Sequence, residues 1–277
     1  MSAEIIYANW FDERFYRIKK NSEEHYIASV TTKLGVERKF HLERWIGEVG
    51  WERAQSIKYE SSERGKRIHF ALSTYLTGGT VIFNDWRSPL YTDNDIKEMQ
   101  KEGFVFVLKD QGEMLDIWKL QQFFDLVKPK ILHSEKIVYS IERDIAGTLD
   151  IAMEIEKGVY VSGSGKNSTV VDIPETGVYI ADLKTGKTVE DSVWRQLAPY
   201  ALSYEEMGLG SPSGCLVLHS GATTEGGIPG LSVKLATRDE LPPYLEDYEH
   251  LAAIWKRNNP NKGPVVFKFP SKIKKEN

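Results

Sequence analysis

Between residues 131 and 183 the chain changes character: apolar, β-branched and aromatic residues run in strand-length blocks at 131–141, 146–155, 159–161 and 169–183, broken by turns containing Gly or Pro. A helix-patterned stretch follows at 189–207, and after it an apolar strand, Gly214-Cys215-Leu216-Val217-Leu218-His219. Strands joined by short turns pair antiparallel, whereas a strand that returns after a helix can lie parallel to the one the chain has left. An antiparallel meander followed by strand, helix and returning strands leads to an α/β domain, with a central mixed sheet flanked by helices.

The remaining elements are arranged around that block. Residues 5–30 show short strand patterns with a turn at Lys20-Asn21-Ser22, and residues 42–59 carry apolar residues at helical spacing. A second helix is expected to begin under caps from Ser61 and Ser62, to bury Ile68, Leu72, Tyr75 and Leu76 on one face, and to stop at Gly78-Gly79. His69 lies inside it. Residues 94–102 and 114–127 read as two more helices, the latter turning Leu115, Trp118 and Phe123 toward the core. A strand at 231–236 and a helix from Pro242-Pro243 to Arg257 complete the chain. No repeat and no linker divides the 277 residues, so one domain is expected: an elaboration over 1–60, a core over 61–258 and a basic tail over 259–277.

Charge and cysteine content exclude several classes of protein. The 36 Lys and Arg stand against 40 Asp and Glu, a net −4, which argues against a surface that is wholly a nucleic-acid footprint but leaves room for a local one. Residues 261–277 hold Lys262, Lys268, Lys272, Lys274 and Lys275 against Glu276, a pattern that reads as a solvated tail. The single cysteine, Cys215, permits no internal disulfide, no thiolate zinc site and no iron–sulfur cluster. Nothing at the start of the chain resembles an export signal, and no run of about 18 apolar residues occurs. A soluble cytoplasmic protein is expected, with no membrane partner.

The chemistry concentrates at Ile180-Ala181-Asp182-Leu183-Lys184, at the end of an apolar strand and just before a glycine turn. A strand period of two puts Asp182 and Lys184 on one face and Leu183 on the other. A carboxylate that binds Mg²⁺ beside a lysine that orients water is an arrangement suited to hydrolysis. Asp150 stands among apolar neighbours on the preceding long strand, where a lone buried carboxylate is costly. Placed beside Asp182 it would complete a site of hard oxygen ligands for Mg²⁺ or Mn²⁺.

In their order, Gly147-Thr148-Leu149-Asp150, Asp182-Leu183-Lys184 and Gln196-Leu197-Ala198-Pro199-Tyr200 resemble the motifs of the PD-(D/E)XK nuclease superfamily. The chain is most similar to the RecB-like exonuclease branch, which carries a helical histidine in a Gly-x-x-x-His pattern, here Gly65 to His69. Ser29-Val30-Thr31-Thr32 and Trp45 resemble that branch's N-terminal region, so the resemblance spans residues 29–204.

The resemblance implies a restriction-endonuclease-like core and a Mg²⁺- or Mn²⁺-dependent deoxyribonuclease. It makes His69, Asp150, Asp182 and the backbone carbonyl of Leu183 metal ligands, Lys184 the catalytic lysine and Glu135 an accessory acid. Gln196 and Tyr200, four apart on one helix face, would hold the DNA strand and the lysine. Lys66, Arg67, Lys187 and Arg195 flank the site and are candidates for phosphate contact, while Trp194 reads as packing. The implied substrate is single-stranded DNA or a duplex end. The implied setting is recombination, repair or phage DNA processing in a bacterial or phage-infected cell, with a helicase or recombination protein supplying any unwinding.

Two departures narrow this reading. Ser162 to Thr169 looks like a phosphate-binding loop, but Tyr160 stands where the first glycine is needed, Asn167 stands at the Ser/Thr position, and a strand rather than a helix follows. Cys215 alone rules out the iron–sulfur members of the branch. The competing reading is a nuclease-derived binding or structural module without turnover, against which the full set His69, Asp150, Asp182 and Lys184 argues.

Overall fold

The computed structural model describes residues 2–7, 13–20, 23–162, 169–222, 230–261 and 263–264; Asn21, Ser22, the loop 163–168 and the lysines of the tail lie outside them. Three short strands, β1 (Ser2–Tyr7), β2 (Arg14–Lys20) and β3 (Glu23–Ala28), pair antiparallel in sequence order. Ser29 caps the short helix α1 (Val30–Leu34), its hydroxyl accepting from the Thr32 amide at 3.0 Å.

Two helices follow, α2 (Phe40–Val49) and α3 (Trp51–Leu76), separated by Gly50 alone. Gly50 has φ 86°, in the left-handed region that glycine occupies without strain. This corrects the helix start expected at Ser61-Ser62: both serines are exposed within the 26-residue α3, and the chain breaks where a glycine allows it to turn. The face expected to be buried is buried, with Ile68 and Leu72 in the core and Tyr75 and Leu76 packed against it.

Beyond α3, the helix expected at 94–102 is α4 (Asp93–Glu102), and on either side of it β4 (Thr80–Phe83) and β5 (Val105–Leu108), two strands the sequence did not reveal, form a small parallel pair. The next helix, α5 (Gln111–Val127), buries Ile117, Leu120, Phe123, Phe124 and Val127, and on the same side Glu113, Asp116 and Lys119. Leu115 and Trp118, expected in the core, are exposed, because the stripe spaced by three and four residues passes between them.

The central sheet starts with β6 (Lys130–Ser140) and β7 (Ile145–Ile155). A hairpin of β8 (Gly158–Ser162) and β9 (Thr169–Ile173) then leaves the sheet before β10 (Gly177–Lys184) rejoins it. The strand expected at 169–183 is therefore two strands, divided near Pro174, which lacks the N–H a continuous ladder needs. Helix α6 (Ser192–Glu206) carries the chain over to β11 (Pro212–His219), which pairs parallel with β10. With β12 (Ser232–Thr237) at one edge, the order is β12-β11-β10-β7-β6, a mixed five-stranded sheet. Helix α7 (Pro242–Asn258) ends the described core.

Strand alternation lets the sheet bury both faces. Tyr179, Ala181 and Leu183 of β10 and Leu216 and Leu218 of β11 face α3 and α5, while Ile180, Cys215 and Val217 face α6 and α7. Each fully buried leucine or isoleucine contributes about 1.5–3 kcal/mol relative to exposure. Among the described residues, no helix is long and apolar enough to cross a membrane.

Candidate metal centre

Strand register brings three acidic residues to one level of the sheet. The antiparallel ladder between β7 and β10 ends at the pair Ile151 and Ala181, so Asp150 and Asp182 stand one step beyond it. On the other side of β7, Ser134 pairs with Ile151 and Lys136 with Leu149, which leaves Glu135 opposite Asp150. Glu135 has φ 52°, a left-handed conformation rare for a residue with a side chain. From above the sheet α3 brings in His69, anchored by the burial of its neighbour Ile68.

These side chains meet. His69 Nδ1 lies 3.4 Å from Asp150 Oδ1 and 3.8 Å from Glu135 Oε1. One ligand-type atom from each of His69, Glu135 and Asp150 lies within 4.8 Å of the other two, the spacing of a set that could hold a metal ion. Asp150 is fixed from behind, because its Oδ2 accepts the Leu183 amide at 2.8 Å and Oδ1 is left facing the histidine. A residue's N–H and C=O leave a strand on the same side, so the Leu183 carbonyl faces the same gap beyond the ladder's end.

Asp182 stands apart from that trio and is engaged elsewhere. Its Oδ1 accepts from Gln196 Nε2 at 2.8 Å, and its Oδ2 lies 2.8 Å from Lys184 Nζ. The side chain is only 4% exposed, and Oδ2 accepts no well-aligned hydrogen bond. Lys184 Nζ also donates to Gln196 Oε1 at 3.4 Å, so one amide ties the carboxylate and the ammonium together.

The electrostatics follow from three carboxylates crowded against two cations at the edge of a dry core. Burial works against an imidazolium at His69, but the charges of Asp150, Glu135 and Asp182 outweigh it and push its pKa up to about 10. Burial also disfavours the Asp150 carboxylate, yet His69, the Leu183 amide and Lys184 hold its pKa below the usual value. Asp182 is raised, by burial first and also by the Asp150 charge, against the pull of Lys184. Lys184 is raised because its two carboxylate neighbours outweigh its desolvation. A divalent cation fits such a set: hard oxygen donors, one imidazole and excess negative charge.

The other residues singled out from sequence take different places. Tyr200, one turn beyond Gln196 on α6, is 3% exposed and therefore packs beneath the site rather than touching a DNA strand. Its ring occupies the space above Gly147, where a Cβ would lie 2.2 Å from Tyr200 Cε1. That glycine's role was missed in the sequence, although a glycine inside a strand signals a close approach. Arg67 is committed to buried Glu113 at 2.6 Å, and Arg195 bridges Glu37 and Asp247, so both serve as structural ties rather than open phosphate contacts. Lys66 is exposed and pairs with Glu63, Lys187 is exposed in the turn after β10, and Trp194 is buried against Tyr244. No protein-family model and no curated protein matches the chain.

Proposed function

We propose that the chain is a metal-dependent deoxyribonuclease of the PD-(D/E)XK superfamily with a restriction-endonuclease-like core, acting as an exonuclease on single-stranded DNA or duplex ends. The observation that carries this reading is the convergence of His69, Glu135 and Asp150 from α3, β6 and β7, with the Asp182 and Lys184 pair beside them at the ladder's end. Residues remote in sequence assemble a cation-sized, negatively charged site with an amine poised next to it.

His69, Glu135 and Asp150 would hold Mg²⁺ or Mn²⁺, with Asp182 and the Leu183 carbonyl as candidate further oxygen donors. A bound ion would supply positive charge for the scissile phosphate and lower the pKa of water. Lys184 Nζ, fixed by Asp182 and Gln196, has its third N–H left to donate to the attacking water. Asp182 keeps that ammonium charged, and Gln196 fixes the direction in which its protons point. Tyr200, wedged over Gly147, sets the distance of α6, and with it Gln196, from the sheet.

The test is incubation with labelled single- and double-stranded DNA in Mg²⁺, Mn²⁺ or EDTA, alongside Asp182→Ala and Lys184→Ala. Cleavage is expected only with metal, with each variant slowed by roughly 10²-fold or more, the scale of losing a transition-state donor. Metal-independent cleavage, or cleavage at the wild-type rate in both variants, contradicts the mechanism. No cleavage of any DNA or RNA leaves a binding module as the better reading.

A further inference from the structure

The two halves of the site arrive on different elements, His69 on α3 and Lys184 at the end of β10, and a buried polar network joins them. Arg64, on α3 little more than one turn before His69, pairs with Asp116 and donates to the Thr185 carbonyl at 3.3 Å. Asp116 is 3% exposed and also receives Lys119 Nζ at 3.2 Å. Lys119, itself 7% exposed, donates to the Ser220 carbonyl at 2.7 Å. The Ser220 amide in turn donates to the carbonyl of Lys184 at 3.0 Å. Next to it, His219 Nε2 meets the Gly186 carbonyl at 2.6 Å. Packing at this corner leaves no slack, since a Cβ on Gly221 would lie 2.1 Å from the Gly186 carbonyl oxygen.

We infer that Arg64, Asp116, Lys119 and His219 are positioning residues for the proposed hydrolysis: they clamp the Lys184-Thr185-Gly186 corner to α3, to α5 and to the end of β11, and so fix the lysine ammonium relative to the metal ligands. This rests on the nuclease reading. The reasoning is energetic. A buried ion network is neutral or costly for stability compared with apolar packing, so its value here lies in direction: Arg64 reaches from α3 to the Thr185 carbonyl, Lys119 reaches from α5 to the Ser220 carbonyl just past β11, and Asp116 holds the two cations together. A carbonyl accepts from any residue at that position, so the clamp constrains the backbone that carries Lys184. The lysine's own side chain is constrained separately, by Asp182 and Gln196.

The experiment is single- and multiple-turnover cleavage of labelled single-stranded DNA by the full chain carrying Asp116→Asn, His219→Ala or His219→Gln, each alone and combined with Lys184→Ala. Asp116→Asn and His219→Ala are expected to lower kcat by roughly 10- to 100-fold, the usual cost of losing a partner that orients a site, with KM and Mn²⁺ affinity within about threefold of wild type. His219→Gln keeps a donor and should recover most of the rate. In the Lys184→Ala background neither substitution should slow cleavage further, because residues acting through one group are not additive. Losses confined to KM, losses that multiply with Lys184→Ala, or losses that only track the folded fraction by near-ultraviolet circular dichroism would overturn the inference. If Asp116→Asn does not fold, the His219 pair decides. A wild type that cleaves nothing refutes the nuclease reading and this inference with it; a wild type that cleaves while the variants match it refutes this inference alone.

Discussion

His69 carries a proton that would have to leave before the residue could hold the proposed metal ion. Three carboxylates push its pKa up to about 10, so in the metal-free protein the imidazolium serves as a counter-ion at neutral pH. Because the folded value is raised, this contribution to stability is fully present below the ordinary histidine value of 6.5 and is lost as pH climbs through about 10. An imidazolium cannot coordinate, so a divalent cation held as proposed would have to displace the proton. Mn²⁺ binding at pH 7 is therefore expected to release about one proton per site, visible as a buffer-dependent enthalpy in calorimetry. Apparent affinity should rise about tenfold per pH unit, and His69→Gln should bind more weakly without that slope. Wild-type affinity that stays flat between pH 6 and 8 would rule the coupling out. The side chains themselves were legible in the sequence, because Asp150, Asp182 and Lys184 are polar interruptions of apolar strands. What was not legible was their sorting: only folding places Glu135 with His69 and Asp150, and turns Asp182 toward Lys184 and Gln196. Arg67 and Arg195 show the same limit, since a basic residue looks alike in sequence whether it faces solvent or a buried carboxylate.

Among the elements, the contact of α6 with β7 carries the most consequence for the site. Tyr200 fits over Gly147 only because that residue has no side chain. Gly147→Ala is expected to destabilise the fold by about 1–3 kcal/mol through overpacking, read as a lower denaturant midpoint, and to slow cleavage by moving Gln196 away from Lys184. Gly147→Ala combined with Tyr200→Leu should recover part of both losses. A midpoint unchanged in Gly147→Ala would mean that the ring moves aside freely. Periodicity gave β6, β7, β11, α6 and α7 to within a few residues, because each is long or wholly apolar. It failed where other effects decide. The four-residue strands β4 and β5 are too short to show a period, and the α2 to α3 break depends on one glycine's φ. The α5 stripe contains paired charges that no hydropathy pattern places inside.

At the scale of the whole molecule, the proposed activity would require an acidic chain to attract a polyanion. Among the described residues, Arg64, Arg67 and Arg195 are tied to carboxylates, so under the proposed reading the positive charge that holds a phosphate would come from the cation and from exposed lysines such as Lys66 and Lys187. The mixed sheet supports this division of labour. Helices cover both of its faces, and the ladder between β7 and β10 stops one residue short of the two aspartates, which leaves backbone and carboxylate oxygens facing a gap rather than each other. The most direct measurement is a titration of the wild-type chain with Mn²⁺ followed by electron paramagnetic resonance, repeated with Asp150→Asn, which preserves an acceptor for the Leu183 amide while removing the charge. One saturable site in the wild type, abolished in the folded variant, is the expected result. No bound Mn²⁺ in the wild type, or the same binding in Asp150→Asn, would show that His69, Glu135 and Asp150 meet for some reason other than holding a metal.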